Sequence, residues 1–251
     1  ELNRRSVRNQ IHDIERQLKA VEKNRATVRE KRLESSIFKI GLIGYTNAGK
    51  STIMNCLTSK SQYEADELFA TLDATTKNIN LSGQLNVTLT DTVGFIQDLP
   101  TELVSSFKST LEESKNVDLL VHVIDASDPH HEEHEKTVLD IMKELDMLDI
   151  PRLTLYNKAD KAEDFTPTLT PYSLISAKTD NSRAILQQVL LERMKELFLP
   201  FTIKVAPAKA YKIHDLEKVA IMGNREYIDD VETISGWIAE KNKWKLEEFY
   251  D

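Results

Sequence analysis

The chain has 251 residues, 40% hydrophobic and 29% charged, a balance that excludes disordered and collagen-like classes and leaves room for one full domain with smaller flanking pieces. No apolar run approaches the roughly 20 residues that cross a bilayer, and no leader pattern opens the chain, so no membrane association is expected and the reading is cytoplasmic. The net charge of −8 argues against DNA binding, but it is uneven: residues 1–39 hold 11 Lys and Arg against 6 Asp and Glu, whereas residues 40–200 hold 14 against 25.

From Arg4 to about Ser35 there is neither Gly nor Pro, and Val7, Ile11, Ile14, Leu18, Val21 and Val28 recur at heptad spacing. This predicts a long coiled-coil-like helix over 1–36, whose seam needs a partner helix. Because the chain opens inside the pattern at Glu1, without Met, an upstream antiparallel partner helix is expected, with self-association of two copies as the alternative. Its basic side chains read equally as a solvated face or as a contact for RNA.

From Ile37 onward, short β-branched runs alternate with amphipathic stretches, the pattern of a mostly parallel sheet covered on both faces. Strands are predicted at Phe38 to Ile43, Lys77 to Leu81, Val87 to Asp91, Asp118 to Asp125, Arg152 to Tyr156 and Tyr172 to Ile175. Helices are predicted at Lys50 to Leu57, Thr101 to Ser114, Pro129 to Leu148 and Asn181 to Phe198. Ser127 or Asp128 would cap the third helix, Pro129 would lie in its first turn, and Pro200 would close the fourth. The single cysteine, Cys56, falls among Ile53, Met54 and Leu57 and reads as a small buried hydrophobe. Residues 37–199 are thus one α/β domain, and 200–251, with a strand near 201–205 and a short helix near 210–219, a small α+β domain.

Between the first strand and helix lies Gly44-Tyr45-Thr46-Asn47-Ala48-Gly49-Lys50-Ser51, a complete G-x-x-x-x-G-K-S followed by Thr52. Its amides and the helix N-terminus would face phosphates, Lys50 would reach the terminal ones, and the Ser51 hydroxyl would take Mg²⁺. The stretch Phe69-Ala70-Thr71-Leu72-Asp73 follows, and Thr71, 20 residues after Ser51, is the choice to complete the magnesium shell; Thr75 and Thr76 abut the next strand. Asp91-Thr92-Val93-Gly94 begins at a strand's carboxyl end, so Asp91 would hold the metal through water and the Gly94 amide would sense a γ-phosphate. Lys50, Thr71, Asp91 and Gly94 are accordingly the expected catalytic set. Asn157-Lys158-Ala159-Asp160 supplies base selection: the Asp160 carboxylate would accept the N1–H and exocyclic amine of guanine, a donor pair that adenine lacks, with Asn157 and Lys158 framing the ring. Ser176-Ala177-Lys178 would support the base. Together the four motifs imply a Mg²⁺-dependent protein that binds GTP and GDP and hydrolyses GTP.

GYTNAGKST, FATLD, DTVGFIQDLP, DASDPHHEEH and NKAD resemble the HflX branch of the translation-factor GTPases, and Glu1 to Arg5 resembles the end of that family's domain-linking segment. The resemblance covers most of 1–200 and fades over 201–251. It implies a ribosome-associated GTPase that binds the large subunit and its rRNA, separates stalled ribosomes, and carries an amino-terminal domain outside this chain. Phe95 stands where many small GTPases carry the glutamine that orients water, and a phenyl ring makes no such hydrogen bond. Slow intrinsic turnover is therefore expected, with the remaining catalytic organisation supplied by a bound partner, by the phosphate network or by another residue entering the site, and the resemblance implies that the ribosome stimulates it. The competing readings are a GTP-dependent interaction module with vestigial hydrolysis and a P-loop phosphotransferase, which NKAD disfavours. His130, Glu133 and His134 formally match an inverted zinc-protease motif, but they open a helix of an already explained fold and read as solvated.

Overall fold

The computed structural model describes residues 36–58, 75–91, 113–163, 165–228 and 231–250. The amino-terminal helix, the 69–73 stretch, residues 92–95 and all but the end of the 101–114 helix lie outside the described residues. In chain order the large sheet is built from β1 (Phe38–Gly44), β2 (Thr75–Leu81), β3 (Leu85–Asp91), β4 (Leu119–Asp125), β5 (Arg152–Asn157) and β6 (Tyr172–Leu174). Among the described residues its helices are α1 (Lys50–Thr58), α2 (His131–Glu144) and α3 (Ser182–Leu197).

The strand order is β2-β3-β1-β4-β5-β6, with only β2 antiparallel to its neighbour. β1 and β4, in the middle, are apolar almost throughout because helices cover both faces. On one face Ile40, Leu42, Val121 and Val123 pack against Ile53, Met54 and Leu57 of α1 and Leu186, Leu190 and Met194 of α3. On the other, Ile43 and Leu120 meet Val138 and Met142 of α2. This is the expected α/β architecture, a sheet between two helical layers.

Local differences from the sequence reading have simple causes. α2 starts two residues later than expected: Asp128 accepts the His130 N–H through Oδ1 at 2.9 Å, a turn that holds 128–130 outside the helix. Leu145 and the residues after it form a turn, so the helix stops at Glu144 rather than Leu148. Pro200 does not close α3; it lies in the next strand, where its missing N–H costs nothing at an edge. Cys56 is half-buried, with Sγ 3.2 Å from Ser182 Oγ, rather than sealed in the core.

The second sheet comprises β7 (Leu199–Val205), β8 (Ala220–Ile228) and β9 (Val231–Ile238) in the order β7-β9-β8. Short helices α4 (Ile213–Glu217) and α5 (Trp244–Glu247) cover it through Ile213, Leu216 and Leu246. This segment docks at the amino ends of the parallel strands. Lys241 Nζ reaches Asp118 Oδ2 at 2.6 Å and the Ile37 carbonyl at 3.0 Å, and Asn86 N–H donates to Lys218 O at 2.9 Å. Ile221 and Ala239 join the large core. The segment makes these contacts away from the opposite, carboxyl ends.

Gly236 sits where a Cβ would lie 2.4 Å from the Ile221 carbonyl and under 3 Å from the Phe201 ring. Gly236→Ala is therefore expected to destabilise the chain by about 1–3 kcal/mol, read as a lower denaturant midpoint in equilibrium unfolding; an unchanged midpoint would contradict the close packing.

Candidate functional site

The phosphate-loop motif spans the turn from the end of β1 to the start of α1. Gly49 adopts φ +100°, and a Cβ there would lie 2.2 Å from Asn157 Nδ2, so both conformation and space require glycine. Lys50 is buried, and its Nζ donates to Gly44 O at 3.1 Å and Tyr45 O at 2.9 Å. Burial pulls the Lys50 ammonium down to about 8, with the Asp91 carboxylate opposing that shift. An anion bound in the loop would favour the charged form again.

Asn157, at the end of β5, is buried and spends both ends of its amide inside the chain. Nδ2 donates to Ala48 O at 2.9 Å, and Oδ1 accepts the Ala177 N–H at 3.0 Å. That makes Asn157 a tie between three loops. Next to it Lys158, in the left-handed region at φ 60°, donates to Asn47 O at 3.0 Å and to Asp125 Oδ2 at 2.6 Å. A trans peptide points its carbonyl and the following N–H in opposite directions. Drawing back the Ala48 carbonyl therefore turns the Gly49 N–H toward the loop's inner side, where an anion would sit, while the Ala48 N–H donates to Tyr45 O at 3.3 Å.

The remaining described positions fall around this frame. Ser51 Oγ donates to Asp91 Oδ2 at 2.8 Å, joining α1 to the end of β3. The pair is a hard-oxygen donor set of the kind Mg²⁺ takes, so these residues fit that ion. Thr46 is buried, Asn47 exposed, and Thr52 half-buried on α1. Asp160 is exposed, with its N–H donating to Ser176 Oγ at 3.0 Å; the Ala159 N–H donates to Ile175 O at 3.1 Å, and Lys178 is exposed. The sheet thus brings together 44–52, Asp91, 157–160 and 176–178. Phe69, Ala70, Thr71, Leu72, Asp73, Thr92, Val93, Gly94 and Phe95 lie outside the described residues.

Sequence reasoning missed three participants. Asp125 locks Lys158 with one carboxylate oxygen and holds Ser127 N–H and Oγ with the other; its place at the end of a parallel strand, like that of Asp91, was the available signal. His134 is not a merely solvated helix residue: its ring stacks on Tyr45 with centroids 3.7 Å apart and planes 10° apart. His122 on β4 is buried below the loop. Burial, reinforced by the Arg152 and Lys50 charges, lowers its pKa to about 3. Among the described residues, no cluster of three or more His, Cys, Asp or Glu could hold a metal, and no helix is long and apolar enough to cross a membrane.

A mostly parallel sheet with a G-x-x-x-x-G-K-S turn at its open end and the N-K-x-D loop tied to it defines a P-loop domain of the GTPase class. Residues 39–158 match the family described as 50S ribosome-binding GTPase. Relatives include the GTPase HflX of Alkalihalophilus pseudofirmus, 47% identical over 80% of this chain and 48% of its own length. Those of Escherichia coli K12 and Chlamydia pneumoniae are 38% and 39% identical over 87% and 99% of this chain, and 54% of each relative. A crystal structure of a GTP-binding protein from Sulfolobus solfataricus in complex with GDP shares the fold, with TM-score 0.51 and 24% identity over 73% of this chain and 58% of that one. The chain belongs to the HflX family of GTPases, and it spans about half the length of the curated relatives it matches.

His122 yields a pH prediction. Its folded pKa of about 3 lies below the ordinary 6.5, so the unfolded state binds more protons between those values. The stability this group contributes is fully present above pH 6.5 and is lost progressively as pH falls toward 3. The gap in urea midpoint between the parent chain and His122→Phe should shift with pH in that window, against the parent on acidification; a pH-independent gap would contradict the burial argument.

Proposed function

We propose that residues 37–199 bind GTP and GDP with Mg²⁺ and hydrolyse GTP, and that nucleotide state gates attachment to the large ribosomal subunit in the cytoplasm. The observation that carries this reading is the Asn157 amide, which couples the phosphate loop to the two base-side loops. In this reading Lys50 and the amides of 44–51 grip the phosphates. Ser51 and Thr71 ligate the metal, with Asp91 acting through water. Bound Mg²⁺ supplies charge neutralisation on the phosphate oxygens. Thr71, with Phe69 to Asp73 around it, and Thr92 to Gly94 respond to the γ-phosphate, and Asp160 selects guanine with Ser176 to Lys178 beside it. Residues 200–251 form a small carboxy-terminal α+β domain, and 1–36 a helical segment leading to the amino-terminal domain of the whole protein.

The family description and the HflX relatives support the ribosomal part. The test is phosphate release from GTP with and without purified large subunits: slow turnover alone and acceleration by subunits are expected, whereas no turnover in either case would refute hydrolysis. For the base, Asp160→Asn is expected to shift preference toward xanthine nucleotides in competition binding, since the amide reverses the donor and acceptor required; undiminished guanine selectivity would remove Asp160 from its role.

A further inference from the structure

Tyr45 and His134 belong to different elements, yet their rings lie face to face. Tyr45 occupies the second position of the phosphate loop, directly after β1. Its carbonyl accepts the Lys50 Nζ hydrogen at 2.9 Å, so the carbonyl that holds the lysine and the stacked ring belong to one residue. Whatever fixes the ring limits how that carbonyl rotates, and with it where the ammonium sits.

The partner ring is held independently. Asp128 brings Oδ2 within 3.6 Å of His134 Nδ1, while its Oδ1 takes the His130 N–H and its carbonyl lies 2.9 Å from His131 Nδ1. The rest of α2 is anchored through Val138 and Met142 on Ile43, the residue before Gly44, and Tyr45 packs against the same cluster. The turn before α2 thus borders one edge of the His134 ring, whose face lies against the loop. Nothing in the G-x-x-x-x-G-K-S pattern calls for either ring.

We propose that His134 is a positioning residue for the phosphate loop, setting nucleotide residence time by clamping the Tyr45 ring and so the main-chain plane that holds Lys50. The proposal rests on the nucleotide-binding reading above. It concerns the face of the imidazole, so another flat ring should serve and a methyl should not.

The test is stopped-flow release of a fluorescent GDP analogue from the 251-residue chain and from His134→Ala, His134→Phe, Tyr45→Ala and the Ala/Ala double variant. Thermal melting of each nucleotide-free variant monitors folding. His134→Ala is expected to release the analogue about 3- to 10-fold faster, the range corresponding to loss of one ring pair. His134→Phe should stay within about twofold of the parent. The double variant should release no faster than Tyr45→Ala, because both substitutions remove one contact. A His134→Ala rate equal to the parent's, a His134→Phe rate as fast as that of His134→Ala, or additive effects in the double variant would each overturn the proposal. Should His134→Ala fail to melt as a folded protein, the His134→Phe rate and the Tyr45 variants decide. A parent chain that takes up no fluorescent GDP would instead overturn the nucleotide reading beneath it.

Discussion

One buried side-chain amide organises the open end of the sheet. Asn157 gives a hydrogen to the Ala48 carbonyl and accepts one from the Ala177 N–H, so one side chain joins the loops after β1, β5 and β6. Both groups it serves would be costly to leave unpaired in a buried place. Gly49 is glycine in part because this amide occupies the space of its missing Cβ. With Lys158 holding Asn47 O one position earlier, two carbonyls of the loop are drawn back and the Gly49 N–H is left to face an anion.

The sheet places that tie. β1, β4 and β5 are parallel and adjacent, so Gly44, Asp125 and Asn157 end at the same edge, and β3 brings Asp91 alongside. Ligands of open α/β sheets bind outside the carboxyl ends of strands, where loops are long and helix N-termini converge. The carboxy-terminal sheet is attached at the other end, through Lys241 on Asp118 and Lys218 on Asn86.

Much of this was legible from residue order. The strands could be placed because β1, β4 and β5 are buried on both faces and therefore read as continuous apolar runs. The glycine, lysine and aspartate motifs could be placed because their backbone chemistry allows few alternatives. What stayed hidden was pairing between distant residues. Periodicity does not reveal that Lys158 would be held by Asp125, that Asn157 would face inward across 109 positions to Ala48, or that His134 would meet Tyr45. Helix ends were misjudged where a side chain competed locally: Asp128 made a turn of its own with His130 and delayed α2. Pro200 reads in the sequence as a helix stop, although an edge strand tolerates it equally.

If the Asn157 tie organises both halves of the site, its removal should weaken the grip on phosphate as well as on base. Isothermal titration of GDP and of pyrophosphate into the parent chain and Asn157→Ala, each with Mg²⁺, measures this directly. The account predicts that both ligands lose affinity in the variant, by tenfold or more as expected when about 1.4 kcal/mol or more is lost from orphaned buried groups. GDP weakened with pyrophosphate unchanged would make Asn157 a base contact only, and both ligands unchanged would remove it from the site.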